Sequence, residues 1–346
     1  MIRMIIRIKE LILGLVETNP FLRNLVCLRK QSQNKSFIEE INRRKKLSIF
    51  DYKALSQEIK EYPLFYISDC NYYGLYCSLL QYCGLKFEDL SLRQRHYFYI
   101  EHGLVLGRFV NSYNIKKAKV VTTFGRNRQQ NINRAVPSAQ SVGIGPYIYY
   151  CDSLLSDTIL EELKEQLGRV LLVIPSHSIA SLKADFDEDL FLSSIKSKMA
   201  DYDTILVCLY WKDIDNGADE FYLRQGFKVT TAGHRDDLNF LPRLKSLLLL
   251  ATEVYSNSVG THVPYCLTLN VPIKIFNQEI NYQKIQDFQV NKLVLEDQTN
   301  VLSAAMEKTA ILEALENNDL EALDHYFGLN SLKSPQEISN LIMALK

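Results

Sequence analysis

The stretch ATEVYSNSVGTHVPYCLTLNVPIKIF, residues 251–276, contains the pattern that decides the fold of this chain. Residues 253–255 and 271–275 are short apolar runs, which predict two buried β-strands. The first strand is expected to end at Ser256, and a helix is expected to lie between the strands. Small and polar residues join the first strand to this helix: Ser256, Asn257, Ser258, Gly260 and Thr261. A strand, a polar turn, a helix and a second strand form the unit from which parallel α/β sheets are built.

Similar units occur throughout the chain. Short apolar runs, each followed by polar residues or Gly and then by a helical pattern, lie at 64–68, 97–100, 120–123 and 145–148, and again at 170–174, 204–209 and 227–231. Continuous apolar runs that alternate with helices predict parallel strands buried on both faces. Two sets of these units predict an α/β protein with two doubly wound, Rossmann-like domains.

Length and pattern together predict four segments in the 346 residues. Residues 1–60 form a helical, basic extension, 61–160 a first Rossmann-like domain, 161–300 a second one, and 301–346 a set of C-terminal helices. The apolar fraction of 47% is sufficient for a sizeable core.

Composition argues against several classes of protein. Lys+Arg and Asp+Glu both number 40, and the net charge of zero does not suit a dedicated nucleic-acid binder. The seven cysteines lack CxxC pairs and metal-ligand spacing, which predicts buried free thiols in a reducing compartment and no zinc site. No stretch has the roughly 18 apolar residues of a membrane-spanning helix. A cytoplasmic location is therefore expected.

The two ends of the chain differ in charge. Residues 1–46 contain 11 Lys/Arg and 4 Asp/Glu, whereas residues 279–346 contain 5 Lys and 11 Asp/Glu. In the opening segment MIRMIIRIKELILGLV, Arg3, Arg7 and Glu10 share one helical face, and Ile and Leu cover the remainder. This pattern fits a helix that lies on an anionic membrane surface. It fits equally a first helix packed on the core of the protein.

Four of the six histidines follow predicted strands: His102, His177, His234 and His262. Ligands of open parallel sheets bind at the carboxyl ends of the strands, so these side chains are candidate site residues. A single histidine in such a place is commonly a structural hydrogen-bonding group. Four in equivalent places indicate a common cleft.

The polar turn at 256–261 is a candidate anion site. Backbone N–H groups and the helix dipole at the start of a helix favour a phosphate or a diphosphate. Ordinary capping of the helix by Ser or Thr explains the same residues without any ligand.

The second half of the chain resembles a known family. The segments SNSVGTH (256–262) and LTLNVPIKIF (267–276), and the block GFKVTTAGHRDDLNFLPRLKSLLLLATEVYSNSVGTH (226–262), resemble bacterial capsule and lipopolysaccharide glycosyltransferases of the GT-B type. The resemblance covers residues 165–276 well and 63–150 in outline, and Asn270 stands where Gly is common. It implies two facing Rossmann-like domains, with a nucleotide-sugar donor on the second domain. The implied acceptor, at the first domain, is a glycan or a lipid-linked glycan of a growing surface polysaccharide.

The resemblance also implies which residues contact the donor. The turn that holds the donor phosphates in this family corresponds to residues 256–262, with the following candidate contacts: Ser256, Asn257, Ser258, Thr261 and His262. His234 and Arg235 occupy the place where relatives have a His-Pro motif against the nucleotide phosphate. Because Arg235 replaces Pro, the motif does not identify the nucleotide of the donor, which could be a CMP-, UDP- or GDP-linked sugar. His177 is expected to face the cleft between the domains.

Transfer of a sugar with inversion requires a base that removes the proton of the acceptor hydroxyl. Three residues are candidates for this base: His102, Glu101 and Asp69, of which the first two are favoured. Glu101 is explained equally by a salt bridge or a strand-end cap. No DxD-like motif follows a predicted strand, because Asp185, Asp187 and Asp189 are expected in a connection. Stabilisation of the leaving group by His234, Arg235 and the helix dipole, without a metal, is the simpler mechanism.

Two other functions fit the same pattern. The chain could transfer a polyol phosphate from a cytidine diphosphate donor, since that reaction uses the same anion site and the same histidines. It could also be a non-catalytic subunit of a polysaccharide assembly complex.

Overall fold

The computed structural model of the chain describes residues 35–59, 72–86, 90, 94, 97–110, 115, 118–179, 182–284 and 298–345. Three sequence predictions lie outside these residues: the strand at 64–68, the candidate base Asp69, and the membrane-binding face that carries Arg3, Arg7 and Glu10. None of the described helices is long and apolar enough to cross a membrane.

The described helices extend over the whole chain and connect the strands. They are α1 (35–45), α2 (Tyr52–Ser56), α3 (Leu75–Tyr82), α4 (Arg126–Ala135), α5 (Asp157–Leu167), α6 (Glu188–Lys196), α7 (Trp211–Asp215), α8 (Ala218–Leu223), α9 (Phe240–Leu250), α10 (His262–Thr268), α11 (Gln298–Glu316), α12 (Leu320–Phe327) and α13 (Pro335–Met343). Short 3-10 turns lie at Tyr72–Gly74, Tyr147–Tyr150 and Met199–Asp201. The predicted helical C-terminal tail is present as α11 to α13.

The first sheet has three parallel strands in the order β1 (Phe98–Ile100), β2 (Val120–Thr123) and β3 (Gln140–Gly143). Strands β1 and β2 are completely buried, as their apolar runs predict. The prediction of a strand at 145–148 is wrong, because Tyr147–Tyr150 forms a 3-10 turn. The third strand lies just before it. It was missed because QSVG is a partly exposed edge strand without an apolar run.

The second sheet has five parallel strands in the order β7-β6-β4-β8-β9. These strands are β4 (Val170–Ile174), β6 (Thr204–Cys208), β7 (Lys228–Thr230), β8 (Glu253–Ser256) and β9 (Ile273–Ile275). All five were predicted from their apolar runs. The chain leaves β4 first to one side and then to the other, so β6 and β8 are its two neighbours. This order is that of a doubly wound sheet, which binds ligands where the order reverses.

A small antiparallel sheet lies beside the second sheet. It pairs β5 (Leu182–Asp185) with β10 (Asn281–Lys284). The prediction that Asp185, Asp187 and Asp189 all lie in a connection is therefore wrong. Asp185 ends β5, Asp187 caps α6 by accepting the N–H of Leu190, and Asp189 lies in the first turn of α6. Strand β5 escaped notice because its four residues alternate between buried and exposed.

The two parallel sheets share one apolar core. Buried residues of the first sheet, such as Val121, belong to the same cluster as Leu172 of β4 and Leu248 of α9. The ring of Phe124, after β2, stacks on that of Tyr265 in α10 with centroids 6.3 Å apart. Helices α11 and α12 add a smaller cluster around Val263.

Thiol groups contribute to this core. Cys151, Cys208 and Cys266 are buried and form no disulfide, as the sequence predicts. Burial raises the pKa of each of these thiols to about 12, so they remain protonated.

A fully buried ion pair fixes the connection between β7 and α9. The Nη1 atom of Arg243 lies 3.0 Å from Oδ2 of Asp237 and donates to the Ala232 carbonyl at 2.6 Å. Its Nη2 atom donates to the Arg44 carbonyl of α1 at 3.3 Å. Both side chains of the pair are 0% exposed, so the residues before α9 and the end of α1 are joined through one guanidinium group.

We expect Arg243→Ala to lower the free energy of unfolding by about 3–5 kcal/mol, because it leaves the Asp237 carboxylate buried without its cation. Urea denaturation measures this loss. Arg224→Ala, at an exposed position after α8, is the control and should change stability by less than about 0.5 kcal/mol. Equal stability of the two variants would contradict this account.

Candidate functional site

The site is formed by the segments that follow the strands of both sheets. Strand β1 leads into residues 101–109, β4 into His177, β6 into Tyr210 and Trp211, and β7 into His234 and Arg235. Strand β8 leads into the turn at 256–261. Since the carboxyl ends of parallel strands meet at one edge of a sheet, each sheet brings its own segments together. The contacts below show that the two sets also meet each other.

His102 is an exposed residue that lies against two aromatic rings. Its ring centroid is 5.9 Å from that of Tyr72 and 6.3 Å from that of Tyr73. The 3-10 turn that carries both tyrosines precedes α3, on the side of the first sheet. His102 is therefore accessible to solvent while its approach is bounded by aromatic surface.

Tyr73 connects the first sheet to the second. Its N–H donates to the carbonyl of Arg235 at 2.6 Å, and its hydroxyl lies 3.2 Å from that of Tyr210. The backbone of Tyr73 has a φ of 65°, an uncommon value for a bulky residue. Burial raises its pKa well above the usual value, so the phenol stays protonated. Backbone strain of this kind is concentrated at functional sites.

His177 lies on the other side of Tyr210. The two ring centroids are 4.5 Å apart, and the Nδ1 of His177 donates to the Ser178 carbonyl at 3.0 Å. The Asp213 carboxylate accepts the Ser178 N–H at 3.2 Å, and burial raises the pKa of this carboxyl. The contacts from His102 through Tyr73 and Tyr210 to His177 thus cross from the first sheet to the second.

His234 is buried beneath Trp211. The two ring centroids are 4.2 Å apart, and the Asp236 N–H donates to Nδ1 of His234 at 3.3 Å. Burial, together with the positive charges of Arg235 and Arg44, lowers the pKa of His234 to about 4. At neutral pH the ring is therefore uncharged, and its proton is on Nε2.

Arg235 lies between two aromatic rings. Its guanidinium carbon is 4.8 Å from the ring centroid of Tyr72 and 5.9 Å from that of Trp211. The side chain is 37% exposed, so the cation is held by both halves of the protein and still reaches solvent. Cation–π contacts of this geometry help to fix the guanidinium, and the Asp236 carboxylate lies 4.0 Å from its Nε atom.

The turn after β8 is held by hydrogen bonds within the protein. The fully buried Asn257 accepts the Ser176 N–H at 2.7 Å and donates to Oε1 of Gln278 at 3.3 Å. The Ser256 hydroxyl donates to the Ser258 carbonyl at 3.2 Å. Ser256 and Asn257 therefore shape the turn from inside. The helix that follows, α10, has only seven residues.

Thr261 makes a second connection between the halves. Its Oγ1 accepts the N–H of Leu104 at 3.0 Å, so the segment after β1 touches the turn after β8. A Cβ atom at Gly103 would come within 2.8 Å of the same oxygen, so a larger residue there would displace the Thr261 side chain.

His262 begins α10 and has a buried ring nitrogen, Nε2, that lacks a hydrogen-bond partner among the described residues. Burial and the nearby His177 together lower the pKa of His262 to about 4, although a hydrogen bond with the Ser258 backbone opposes both effects. The ring is thus neutral at pH 7.

Glu101 has partners that explain its position. Its buried carboxylate is bound by the guanidinium of Arg128, with Nε 2.9 Å from each oxygen, and it accepts the Thr123 hydroxyl at 2.7 Å. These bonds hold the segment after β1 against α4. Of the two favoured candidates for the base, the geometry therefore favours the exposed His102.

The structure thus groups nine of the predicted residues at one edge of the two sheets. Ring contacts, charges and the turn after β8 bring six of them together: His102, His177, His234, Arg235, Ser258 and His262. The other three mainly shape that turn: Ser256, Asn257 and Thr261. Sequence reasoning did not single out Tyr72, Tyr73 and Trp211. Trp211 follows the apolar run of a predicted strand, and this position could have identified it as a site residue.

Among the described residues, no three His, Cys, Asp or Glu side chains lie close enough together to hold a metal ion. Transfer without a metal stays a prediction. A depression of about 520 Å³ lies away from the histidines, between the end of β9 and the start of α6. It is lined by Asp185, Phe186, Asp187, Leu190, Phe276, Asn277, Gln278, Glu279 and Asn281.

No protein-family model and no curated protein matches this chain. Among solved structures, the chain is similar to the wall teichoic acid polymerase TagF, with 14% identity over 72% of this chain and 67% of that chain and a TM-score of 0.40. It is similar to a glycosyltransferase from Rickettsia africae ESF-5, at 13% identity over 72% and 70% of the two chains and a TM-score of 0.34. A third is the UDP-GlcNAc 2-epimerase from Neisseria meningitidis bound to UDP-GlcNAc, at 13% identity, 78% and 71% coverage and a TM-score of 0.35. TM-scores this low assign neither a fold nor a function.

The two buried histidines predict a loss of stability in mild acid. Between pH 6.5, the ordinary histidine pKa, and pH 4, the unfolded chain binds protons that the folded chain excludes. Acidification through this window therefore favours unfolding, by at most about 1.4 kcal/mol per pH unit for each histidine.

Urea denaturation at several pH values tests this expectation. The double variant His234→Asn/His262→Asn should show a shallower dependence of stability on pH between 4 and 6.5. The control is His325→Gln, in α12. If the double variant keeps the wild-type pH dependence, the folded protein protonates these two histidines as readily as the unfolded chain does, which contradicts the expectation.

Proposed function

We propose that this chain is a glycosyltransferase of the GT-B type, in which two Rossmann-like domains face each other across a cleft. The observation that carries the proposal is the meeting of strand-end segments from two separate parallel sheets. Leu104, after β1, contacts Thr261, after β8, and Tyr73, in the turn before α3, contacts Arg235 and Tyr210, which follow β7 and β6. Because parallel sheets bind ligands at these edges, a cleft built from two of them suits a reaction with two substrates. Domains at 61–160 and 161–300 are part of the proposal.

The second sheet supplies the donor side. Arg235 is a partly exposed cation held between aromatic faces, which suits the phosphate of a nucleotide-sugar donor. His234 is neutral with its proton on Nε2, so it can donate one N–H to an anion without opposing its binding. The neutral His262 ring donates to the Ser258 backbone, so its Nε2 is an acceptor. Groups fixed before the reaction stabilise the charge that develops on the leaving nucleotide.

The first sheet supplies the acceptor side. His102 is exposed beside Tyr72 and Tyr73, and an imidazole is suited to act as a base near neutral pH. In the proposed reaction, His102 removes the proton of the acceptor hydroxyl, and the hydroxyl oxygen attacks the anomeric carbon of the sugar. The bond from that carbon to the phosphate oxygen breaks, and the nucleotide leaves beside Arg235. The acceptor is a glycan or lipid-linked glycan of a bacterial surface polysaccharide, and the reaction takes place in the cytoplasm.

Nucleotide binding is the first test of the donor side. We expect one of CMP, CDP, UDP, GDP or dTDP to raise the apparent melting temperature selectively, because a ligand of the folded state stabilises it by mass action. The shift should be lost in Arg235→Gln and kept in Arg224→Gln, whose residue is exposed after α8.

The nucleotide that binds also separates the alternatives. A shift with CDP, together with turnover of a CDP-polyol and of no nucleotide sugar, would indicate polyol-phosphate transfer. Absence of a shift with all five nucleotides, with and without Mg²⁺, would contradict the proposed function and favour a non-catalytic subunit.

We expect His102→Ala to reduce kcat for release of nucleotide from the donor by about 10²–10⁴-fold, the usual contribution of a general base. The melting-temperature shift caused by the nucleotide should be unchanged, because His102 lies on the acceptor side. His325→Ala is the control. Wild-type turnover by His102→Ala would exclude His102 as the base.

A further inference from the structure

Helix α11 of the C-terminal tail binds the loop that carries His102. This loop, residues 101–109, has no helix or strand of its own. The Gly107 N–H donates to Oε2 of Glu307 at 2.7 Å, and the Phe109 N–H donates to Oδ1 of Asn300 at 2.7 Å. Two backbone amides of the loop are thus satisfied by side chains that lie about two hundred residues further along the chain.

The contact with the helix is close along one face. Asn300, Ala304 and Glu307 are spaced by four and three residues, so they lie on the same side of α11. A Cβ atom at Gly107 would come within 2.7 Å of Oδ1 of Asn300 and 3.1 Å of the Ala304 Cβ. Gly107 has a φ of +84°, a value that glycine adopts without strain. The backbone of the loop therefore rests directly on the helix.

Helix α4 holds the same loop from a second direction. The Nη1 of Arg128 donates to the Phe109 carbonyl at 2.7 Å, and the Nδ2 of Asn131 donates to the Gly107 carbonyl at 3.3 Å. The N–H groups of Gly107 and Phe109 thus bind α11, while their carbonyls bind α4. This arrangement fixes the peptide planes on both sides.

Helix α11 is in turn fixed to the second sheet. Its Ile311 is fully buried and packs in one cluster with Val263 of α10 and Ile273 of β9. The Nζ of Lys308 donates to the Gln278 carbonyl, after β9, at 3.3 Å. The helix therefore sets the position of the 101–109 loop relative to the turn after β8.

We propose that Glu307 and Asn300 are positioning residues, which hold the 101–109 loop so that His102 points into the cleft at a fixed distance from the donor side. This inference rests on the proposed function, because it concerns the base of that reaction. A displacement of about 1 Å in a catalytic group lowers rates by about a hundredfold. A loop without secondary structure needs external bonds to stay within such limits, and α11 supplies them.

Hydrogen exchange of the full chain, followed by mass spectrometry, tests the contact. Glu307→Ala should speed amide exchange in the 101–109 loop by about tenfold or more, because it removes a charged acceptor from a backbone N–H. Glu307→Gln should restore most of the protection, since the amide oxygen accepts the same bond. Glu313→Ala is the matched control, because Glu313 lies exposed on the same helix. Unchanged exchange of the loop in Glu307→Ala overturns the proposal.

Turnover shows whether the contact matters to the reaction. In Glu307→Ala, kcat for nucleotide release from UDP-glucose, GDP-mannose or CMP-N-acetylneuraminic acid, whichever the wild type uses, should fall by about 10- to 100-fold. The KM for that donor should change by less than about twofold, because the donor side is untouched. Faster loop exchange with an unchanged kcat also overturns the proposal.

Exchange of the C2–H of His102 provides a readout that needs no substrate, since its rate reports the pKa and the solvent access of the ring. It should change in Glu307→Ala, return in Glu307→Gln and stay at the wild-type value in Glu313→Ala. If the wild type binds no nucleotide and turns over no donor, the proposed function fails. These two exchange measurements then still decide whether α11 fixes the loop and His102: a change in both supports the contact, and no change refutes it.

Discussion

Burial of apolar side chains between the two parallel sheets is the interaction on which the rest of the structure depends. The buried 3-10 turn that includes Tyr147, together with α9 and α10, fills the space between the sheets with a single apolar cluster. Burying a large side chain contributes about 1.5–3 kcal/mol, so the cluster outweighs the few polar bonds that cross between the sheets. Those polar bonds select one relative position among the many that apolar contact alone would allow.

The bonds that select this position involve mostly backbone groups. Leu104 and Tyr73 each donate an N–H across the boundary, to Thr261 and to the Arg235 carbonyl. Because backbone groups make these bonds, the side chains at the site are not used up in holding the two sheets together. Burial keeps His234 neutral, so the described part of the donor side combines the guanidinium of Arg235 with an uncharged imidazole.

Much of the fold follows from the sequence, because strands buried on both faces consist of continuous apolar residues. Strands β4, β6 and β8 of the second sheet and β1 and β2 of the first are of this kind, whereas the edge strands β7 and β9 each carry an exposed Lys. Strands β3 and β5 were missed since one lies at an edge and the other alternates between buried and exposed residues. The four histidines could be predicted because strand ends define the site. Glu307 could not, since its role depends on a contact with Gly107, 200 positions away.

The separation of Glu307 from Gly107 along the chain has a consequence for protein synthesis. A ribosome adds about 5–20 residues per second, so 200 residues take about 10 to 40 s. Strands β1 to β3 leave the ribosome long before α11 does. During this interval the nascent first sheet exists without the helix that orders its loop. The cleft residues are therefore synthesised before the helix that fixes their loop. The final arrangement of the cleft has to wait until the C-terminal tail has been translated.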